Sequence, residues 1–224
     1  MSKIRKRTTR ILPTPRGNRT RQMARTPAAP PHRSYRIAGV ELSSTFCVIM
    51  NPSTILCWNI RGLNSRARQY SVHTLVNNSR VDVVCIQETK MQGSSQGTIL
   101  FMFGSDFSYS IELPSVGASG GLLIAWRHSL GPATTTKEDN HIISIQFSLS
   151  SGLSWWLTYV YGPQGDDNKV LFLQELRNII ATFQGPWLVL GDFNLIVNDE
   201  DKNNGNFNRA MMGRFHHFIN DLGC

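Results

Sequence analysis

The sequence predicts an α/β fold in which mixed β-sheets are flanked by outer helices. Short apolar runs of strand length recur from about residue 53 onward, and several are apolar at nearly every position. Such runs are typical of strands that are covered on both faces. Segments with helical periodicity stand between or after the runs without strict alternation, which favours mixed sheets over a purely parallel one.

Six of the apolar runs are predicted to be strands, because they combine strand length with β-branched and aromatic residues. They are Thr54–Trp58, Val81–Ile86, Gly121–Trp126, Ile142–Phe147, Trp155–Tyr161 and Trp187–Leu190.

Three helices are predicted: Ser65–Asn78, Asp167–Phe183 and Asn208–Leu222. Ser65 is a suitable N-cap for the first, and either Asp166 or Asp167 for the second. Apolar residues at steps of three and four give the second and third helices a buried stripe. The two stripes are Phe172, Leu176, Ile179 and Phe183, and Met212, Phe215, Ile219 and Leu222.

The positive charge of the chain is concentrated at its N-terminus. Residues 1–40 hold 11 Lys and Arg and no acid, whereas the other 184 residues hold 12 Lys and Arg and all 15 Asp and Glu. The net charge of +8 therefore does not make the folded part a nucleic-acid binder. We predict a basic disordered tail over residues 1–50 and a folded domain over 51–224. A transit peptide or a phosphate-binding arm is an alternative reading of the tail.

The cysteines and the hydropathy favour an intracellular protein. The four cysteines, Cys47, Cys57, Cys85 and Cys224, form no C-x-x-C pair, and two lie within apolar runs. This pattern indicates reduced thiols rather than a disulfide frame or a zinc site. No run approaches the ~18–20 apolar residues of a membrane span, so no membrane partner is expected. The expected compartment is the nucleus, with organelle targeting by the basic N-terminus as the alternative.

Polar residues follow four of the predicted strands at their carboxyl ends. They are Asn59, Glu88, Tyr161 and Asp192, and Asn194 follows closely after the last. In layered α/β folds that edge is where ligands bind, and a carboxylate there needs a cation, a donor or water. The oxygen-rich set suits Mg²⁺ or Mn²⁺ better than zinc. Taken singly, each residue is better explained as a turn, a cap or a surface group, but the set taken together, in this order, favours a site.

Five motifs in order resemble the endonuclease/exonuclease/phosphatase superfamily. They are Trp58-Asn59-Ile60-Arg61-Gly62-Leu63, Gln87-Glu88-Thr89-Lys90, Gly120-Gly121-Leu122-Leu123-Ile124-Ala125-Trp126, Val160-Tyr161-Gly162-Pro163 and Gly191-Asp192-Phe193-Asn194-Leu195-Ile196. The closer likeness is to the apurinic-type endonuclease domain of plant LINE-type (non-LTR) retrotransposons. It covers roughly residues 53–224 and about two-thirds to three-quarters of such a domain.

The resemblance implies a four-layered sandwich of two mixed sheets flanked by helices, with the second sheet incomplete. It also implies a Mg²⁺- or Mn²⁺-dependent hydrolase that cleaves phosphodiester bonds in DNA. Carried over by position, Glu88 is a metal ligand with Asn59 beside it, and Asp192 orients or deprotonates the attacking water. Asn194 and Tyr161 are implied to donate to the phosphate oxygens.

The sequence departs from the family pattern at two places. The family often has an Asp where Arg61 stands, which puts a second acidic metal contact in doubt. A later strand-end Asp and an Asp-His motif do not occur by residue 224, and His216 and His217 fall within the third predicted helix. We therefore expect this polypeptide to be catalytically impaired.

Two other functions remain open at this stage. One keeps the superfamily but changes the substrate to a phosphoinositide or a nucleotide. The other is a non-catalytic nucleic-acid-binding remnant that uses the basic tail, which predicts strongly salt-dependent DNA binding. The motifs that surround Ala125 and Phe193 favour the retroelement branch. The oligomeric state is not predicted.

Overall fold

The structure is a computed structural model that describes residues 53–116, 120–148, 152, 154–196 and 208–222. It also describes the backbone of three short strands within residues 1–50. Within this described part, eleven strands form two mixed sheets and four α-helices flank them.

The first sheet has six strands in the order β1-β3-β4-β5-β7-β6, and the second has five in the order β2-β11-β10-β9-β8. The bounds are β1 Arg7–Thr8, β2 Tyr35–Ile37, β3 Phe46–Met50, β4 Ser53–Asn59, β5 Val83–Gln87, β6 Tyr109–Leu113, β7 Leu122–Trp126, β8 Thr135–Asp139, β9 Ile142–Ser148, β10 Ser154–Tyr161 and β11 Trp187–Asp192. The central pairs β4–β5 and β10–β11 are parallel, and most flanking pairs are antiparallel.

The helices are α1 Arg66–Ser79, α2 Gln96–Phe103, α3 Asp166–Ala181 and α4 Arg209–Asp221. As predicted, Ser65 is the N-cap of α1, and its side chain accepts a hydrogen bond from the backbone N–H of Arg68. The prediction that an Asp caps α3 is wrong. Gly165 is the N-cap without a side-chain bond, and Asp166 and Asp167 lie in the first turn, where the helix dipole favours acids.

Three hydrophobic clusters separate four layers. The central cluster lies between the two sheets and includes Cys85 of β5 and Tyr159 of β10. A second cluster packs α1 and α2 against the outer face of the first sheet, and a third packs α3 and α4 against the second sheet. Alternate residues of each central strand therefore face opposite layers, and both faces are buried.

The predicted α/β sandwich of two mixed sheets with outer helices is confirmed, and all six predicted strands are found with shifted ends. The second sheet is the smaller one. The predicted stripe of α4 is partly wrong: Met211 and Phe218 are buried, whereas Met212 and Ile219 are half-buried. In α3, Ile180 is buried in place of Ile179. Cys57 and Cys85 are free and buried, as predicted.

The predicted tail contains the strands β1, β2 and β3, and the rest of residues 1–50 lies outside the described residues. β3 pairs antiparallel with β4 from Phe46 opposite Cys57 to Met50 opposite Ser53. β2 pairs parallel with β11 at the edge of the second sheet. Backbone pairing with the domain thus reaches into the segment that the sequence assigns to the tail.

No helix of the described part is long and apolar enough to cross a membrane.

Candidate active site

The site is centred on the carboxylate of Glu88, which follows β5 directly. Asn59, the last residue of β4, donates from Nδ2 to Glu88 Oε1 over 2.9 Å. Tyr161, the last residue of β10, donates from its hydroxyl to the same oxygen over 3.2 Å. Glu88 therefore receives one hydrogen bond from its own sheet and one from the opposite sheet. The carboxyl ends of β4 and β5 meet those of β10 and β11 here.

Asp192 ends β11 and pairs in register with Tyr161 of β10. Only 7% of its surface is exposed. Burial, with a smaller contribution from the charge of Glu88, raises the pKa of Asp192, while the backbone N–H of Asn194 and the charge of Lys169 act in the opposite direction. The N–H of Asn194 donates to Asp192 Oδ1 over 2.8 Å and fixes the orientation of the carboxylate. Two carboxylates thus lie close enough to repel each other.

The phenol of Tyr161 stays protonated at neutral pH. Burial, followed by the charge and the hydrogen bond of Glu88, raises the pKa of Tyr161 to about 12. The carbonyl of Tyr161 contacts His141 Nδ1 at 2.9 Å, which holds the end of β10. The hydroxyl is therefore a permanent donor at the site.

The side chain of Asn194 holds the turn after β10. Its Nδ2 donates to the carbonyl of Gly162, and its Oδ1 accepts from Gln164 Nε2 over 2.8 Å. The N–H of Gly162 in turn donates to the carbonyl of Asp192 over 2.7 Å. A Cβ on Gly162 would overlap the carbonyl of Phe193, so only glycine fits this crossing of the two chain segments.

Strained backbone is concentrated around the site. Arg61, Glu88, Lys90 and Asn194 all have φ between 51° and 55°, in the left-handed region. Apart from Arg80, they are the only non-glycine residues of the described part with positive φ. Such conformations cost free energy and persist where surrounding contacts fix them, most often at functional sites.

The loop after β4 is tied to the segment after β5 and to α1. The N–H groups of Gly62 and Leu63 donate to the carbonyls of Glu88 and Thr89, both over 2.7 Å. Arg68 donates from Nη1 to the carbonyls of Ile60 and Gly62, each over 3.0 Å, and also to that of Arg61. No local pattern in the sequence marks Arg68, His141, Gln164 or Lys169, because their roles depend on contacts that the tertiary structure creates.

All five sequence-predicted site residues lie at this edge. Glu88 contacts Asn59 and Tyr161 directly, whereas Asp192 and Asn194 are joined to them through the β10–β11 register. His216 and His217 are exposed on α4.

The donor set fits a hard divalent cation. The described residues contain no group of three or more His, Cys, Asp or Glu side chains placed to hold a metal. Glu88 and Asp192 nevertheless supply two carboxylates whose repulsion a cation would relieve, and the remaining groups are amide and phenol oxygens. Mg²⁺ commonly binds through one or two carboxylates together with water and substrate phosphates. In the present arrangement Asn59 turns its nitrogen to Glu88, and its Oδ1 accepts from the N–H of Arg61 over 3.3 Å.

The two-sheet sandwich with carboxylates at the strand ends places the chain among layered α/β proteins. Comparison with known protein families then identifies the family. Residues 56–222 match the endonuclease/exonuclease/phosphatase family model, and the chain belongs to this family. No curated protein is similar enough to count as a match.

Solved structures of a 3′ phosphatase and of AP endonucleases share the fold. The 3′ phosphatase NExo from Neisseria, solved with a product DNA hairpin, is 17% identical with a TM-score of 0.56, and the match covers 76% of this chain and 71% of that one. An AP endonuclease from Archaeoglobus fulgidus is 17% identical with a TM-score of 0.54, with 74% and 69% covered. The AP endonuclease LMAP from Leishmania major is 15% identical with a TM-score of 0.53, with 75% and 66% covered. At these identities the likeness concerns the fold.

Proposed function

We propose that this chain is a Mg²⁺- or Mn²⁺-dependent hydrolase domain that cleaves phosphodiester bonds in DNA. The observation that carries the proposal is the convergence of donors from both sheets on Glu88, next to the buried carboxylate of Asp192. A phosphodiester carries negative charge that grows in the transition state, so it requires donors and a cation at the same place.

Each side chain has a role that its chemistry allows. Glu88 and Asn59 would hold the cation, which supplies positive charge to the phosphate oxygens. The raised pKa of Asp192 makes its carboxylate a better acceptor for a proton of the attacking water near neutral pH. Tyr161, protonated at that pH, can donate to a phosphate oxygen, and Asn194 keeps Asp192 oriented through its backbone N–H.

We infer an origin in a LINE-type retrotransposon from the five motifs of the sequence, and the DNA substrate follows from the same likeness. The solved relatives that act on DNA, such as the phosphatase bound to a DNA hairpin, support that substrate. This reasoning also makes the nucleus the proposed compartment.

We further propose that residues 1–224 alone turn over slowly. No histidine of the described part contacts the side chain of Glu88 or Asp192, and the ring of His141 contacts the carbonyl of Tyr161 instead. The proton transfer of the reaction would therefore proceed without a histidine at these two carboxylates. General acid–base groups typically contribute about 10²–10⁴-fold to such reactions.

The test is nicking of supercoiled plasmid by the full 224-residue chain, with Mg²⁺ and with EDTA. We expect slow, metal-dependent nicking that falls by about 10²-fold or more in Asp192→Ala and by about tenfold in Tyr161→Phe. Asp221→Ala is the matched control, because this exposed carboxylate on α4 forms an ion pair with Arg177 on α3 and is not among the site residues. Fast nicking by the unaltered chain would contradict impaired catalysis. If the unaltered chain neither nicks DNA nor binds Mn²⁺, the proposed metal-dependent hydrolase function is wrong.

The charge of the N-terminus supports a second candidate, a non-catalytic nucleic-acid-binding remnant. Residues 1–40 carry 11 Lys and Arg without an acid. This candidate requires DNA binding that weakens steeply with salt, is lost on deleting residues 1–40 and is unchanged in Asp192→Ala. A phosphoinositide or nucleotide substrate, the third alternative, would show phosphate release from those compounds without plasmid nicking.

A further inference from the structure

The loop after β4 is held by a single side chain from α1. Arg68 Nη1 lies within hydrogen-bond distance of three successive carbonyl oxygens, those of Ile60, Arg61 and Gly62. A guanidinium that donates to several carbonyls in one turn fixes its backbone, because charge-assisted bonds are stronger than neutral ones. The positive charge also offsets the repulsion between the dipoles of three carbonyls that converge on it.

The other side of the same loop is bonded to the backbone of Glu88. The Gly62 N–H donates to the Glu88 carbonyl over 2.7 Å, and the Ile60 N–H donates to the Gln87 carbonyl over 3.2 Å. Glu88 itself has a φ of 54°, a conformation that must be imposed by its surroundings. The carbonyl of Gly62 thus accepts from Arg68, and the N–H of the same residue donates to the carbonyl of Glu88.

The loop is also closely packed at Gly62. Gly62 has a φ of 114°, and a Cβ placed on it would lie 3.3 Å from Arg68 Nη1 and 3.6 Å from Lys90 Cδ. The loop is therefore packed closely between the side chains of Arg68 and Lys90. Next to Arg68 on α1, Gln69 donates from Nε2 to the carbonyl of Leu63 over 3.1 Å and extends the same anchoring by one residue.

We propose that Arg68 is a positioning residue, which fixes the loop of residues 60–62 and, through the Gly62 amide, holds Glu88 in its left-handed conformation for cation binding. The step to cation binding rests on the proposed function, whereas the step from Arg68 to the loop does not. Arg68 touches neither cation nor substrate in this role.

The experiment combines amide hydrogen exchange with Mn²⁺ titration on the full chain. We expect Arg68→Ala to speed exchange of the Gly62 and Leu63 amides by about tenfold or more, the scale of losing one charge-assisted bond. Exchange in β4 and β5 should stay unchanged. The Mn²⁺ Kd should rise by a similar factor, and added guanidinium should restore part of both effects at constant ionic strength.

Arg66→Ala is the matched control. Arg66 lies two residues earlier on α1, with its guanidinium 3.3 Å from the centre of the Phe101 ring. Its Nη1 lies 3.5 Å from Gln69 Oε1, at the outer limit of a hydrogen bond, and it makes no direct bond to the loop in the part of the chain described. It should leave loop exchange and Mn²⁺ affinity unchanged. Arg68→Lys keeps a cation with three N–H donors on a side chain of shorter reach, and we expect smaller changes in exchange and Mn²⁺ Kd than in Arg68→Ala.

Several outcomes would overturn the inference. Unchanged exchange at Gly62 and Leu63 would refute the anchoring, and uniformly faster exchange throughout the domain would show that Arg68 contributes only to global stability. Locally faster exchange with an unchanged Mn²⁺ Kd would refute the link to Glu88. If the unaltered chain binds no Mn²⁺, the metal-dependent function falls and the positioning for cation binding falls with it, while the exchange data still decide whether Arg68 anchors the loop.

Discussion

At the scale of single residues, Asp192 has an electrostatic conflict that a cation would resolve. It is buried, its pKa is raised, and the charge of Glu88 contributes to that rise. A group whose pKa is raised by folding stabilises the protein below the pKa of the unfolded chain, and that contribution is lost as the pH rises through the folded value. At neutral pH without divalent cations, the ionised carboxylate of Asp192 therefore destabilises the fold.

Asp192→Asn should consequently stabilise the protein while abolishing hydrolysis. The amide keeps an oxygen for the N–H of Asn194 and removes the charge, so we expect the free energy of unfolding at pH 7 in EDTA to rise. Urea unfolding at pH 7 and at pH 4 measures this, and the gain should shrink at the lower pH. A variant that is less stable than the parent at pH 7 would show that the carboxylate is satisfied as it stands.

The residue types of the site could be predicted from the sequence, but its supporting contacts could not. Asn59, Glu88, Tyr161 and Asp192 stand out because polar groups that end buried strands are costly unless they are used. Arg68 is one of four arginines in the acid-free stretch of residues 53–81, and nothing local distinguishes it. Its role depends on where α1 lies relative to the loop, which only the tertiary structure shows.

At the scale of elements, Gly191 is required for the parallel pairing of β10 with β11. Its φ is 128°, and a Cβ at this position would overlap the carbonyl of Val160, its partner in the ladder. The clash involves backbone on both sides, so it cannot be relieved by a rotamer change. The strand therefore reaches Asp192 only with glycine before it.

Gly191→Ala should destabilise the domain by about 3 kcal/mol or more, in the range of severe core substitutions. Gly213→Ala is the control, since Gly213 lies in α4 with nothing within 4 Å of an added Cβ, and alanine there should stabilise by about 0.5–1 kcal/mol. Urea unfolding of the three proteins gives both differences. Equal stability of Gly191→Ala and the parent would mean that β11 can shift away from β10.

A pair of carboxyl groups joins α3 to β8. Partial burial, followed by the hydrogen bond and the charge of Asp139, raises the pKa of Glu175 to about 7, and the same hydrogen bond lowers the pKa of Asp139. The pair lies in the wall of a cavity of about 440 Å³ that Lys137 also lines. Protonated Glu175 can donate to ionised Asp139, whereas two ionised groups repel each other.

The stability contributed by Glu175 should be fully present below its unfolded pKa and be lost as the pH rises through about 7. Glu175→Gln donates an N–H to Asp139 at any pH, so it should remove this part of the pH dependence. Thermal unfolding between pH 5 and pH 9 measures the difference between the two proteins. Parallel curves for parent and variant would contradict a shared proton.

The elements that could be predicted differ physically from those that could not. β5 and β7 are buried on both faces and appear as continuous apolar runs. β8, with the sequence TTKED, is an exposed edge strand without a hydrophobic signal, and α2 is apolar without a clear period. In α4 the pattern does not distinguish Met211 from Met212, because both are equally apolar, and packing alone decides which is buried.

At the scale of the whole molecule, one buried hydrogen bond crosses between the sheets. The hydroxyl of Tyr159 on β10 donates to the carbonyl of Cys85 on β5 over 3.2 Å, inside the central cluster. Burial raises the pKa of Tyr159 well above its usual value, so the hydroxyl remains a donor. This hydrogen bond fixes the relative position of the two sheets close to the site, because Tyr159 lies two residues before Tyr161 on β10.

Tyr159→Phe should lower the free energy of unfolding by about 1 kcal/mol, the usual net value of such a bond. Tyr109→Phe is the control, because Tyr109 stacks on Trp126 and its hydroxyl makes no hydrogen bond within the described part. Denaturant unfolding with an unchanged m-value would show that the substitution changed only the stability. An equal loss of stability in both variants would mean that it does not come from the hydrogen bond between Tyr159 and Cys85.

Glu88 and Tyr161 belong to opposite sheets, so the activity of this site depends on how the two sheets pack against each other. A form in which the two sheets separate keeps its strands and helices, and with them most of its circular dichroism in the far ultraviolet. A separation of a few ångströms already breaks the hydrogen bond between Tyr161 and Glu88. On mild heating or acidification, turnover and cation affinity should therefore vanish before secondary structure does, which makes them the more sensitive gauge of native assembly.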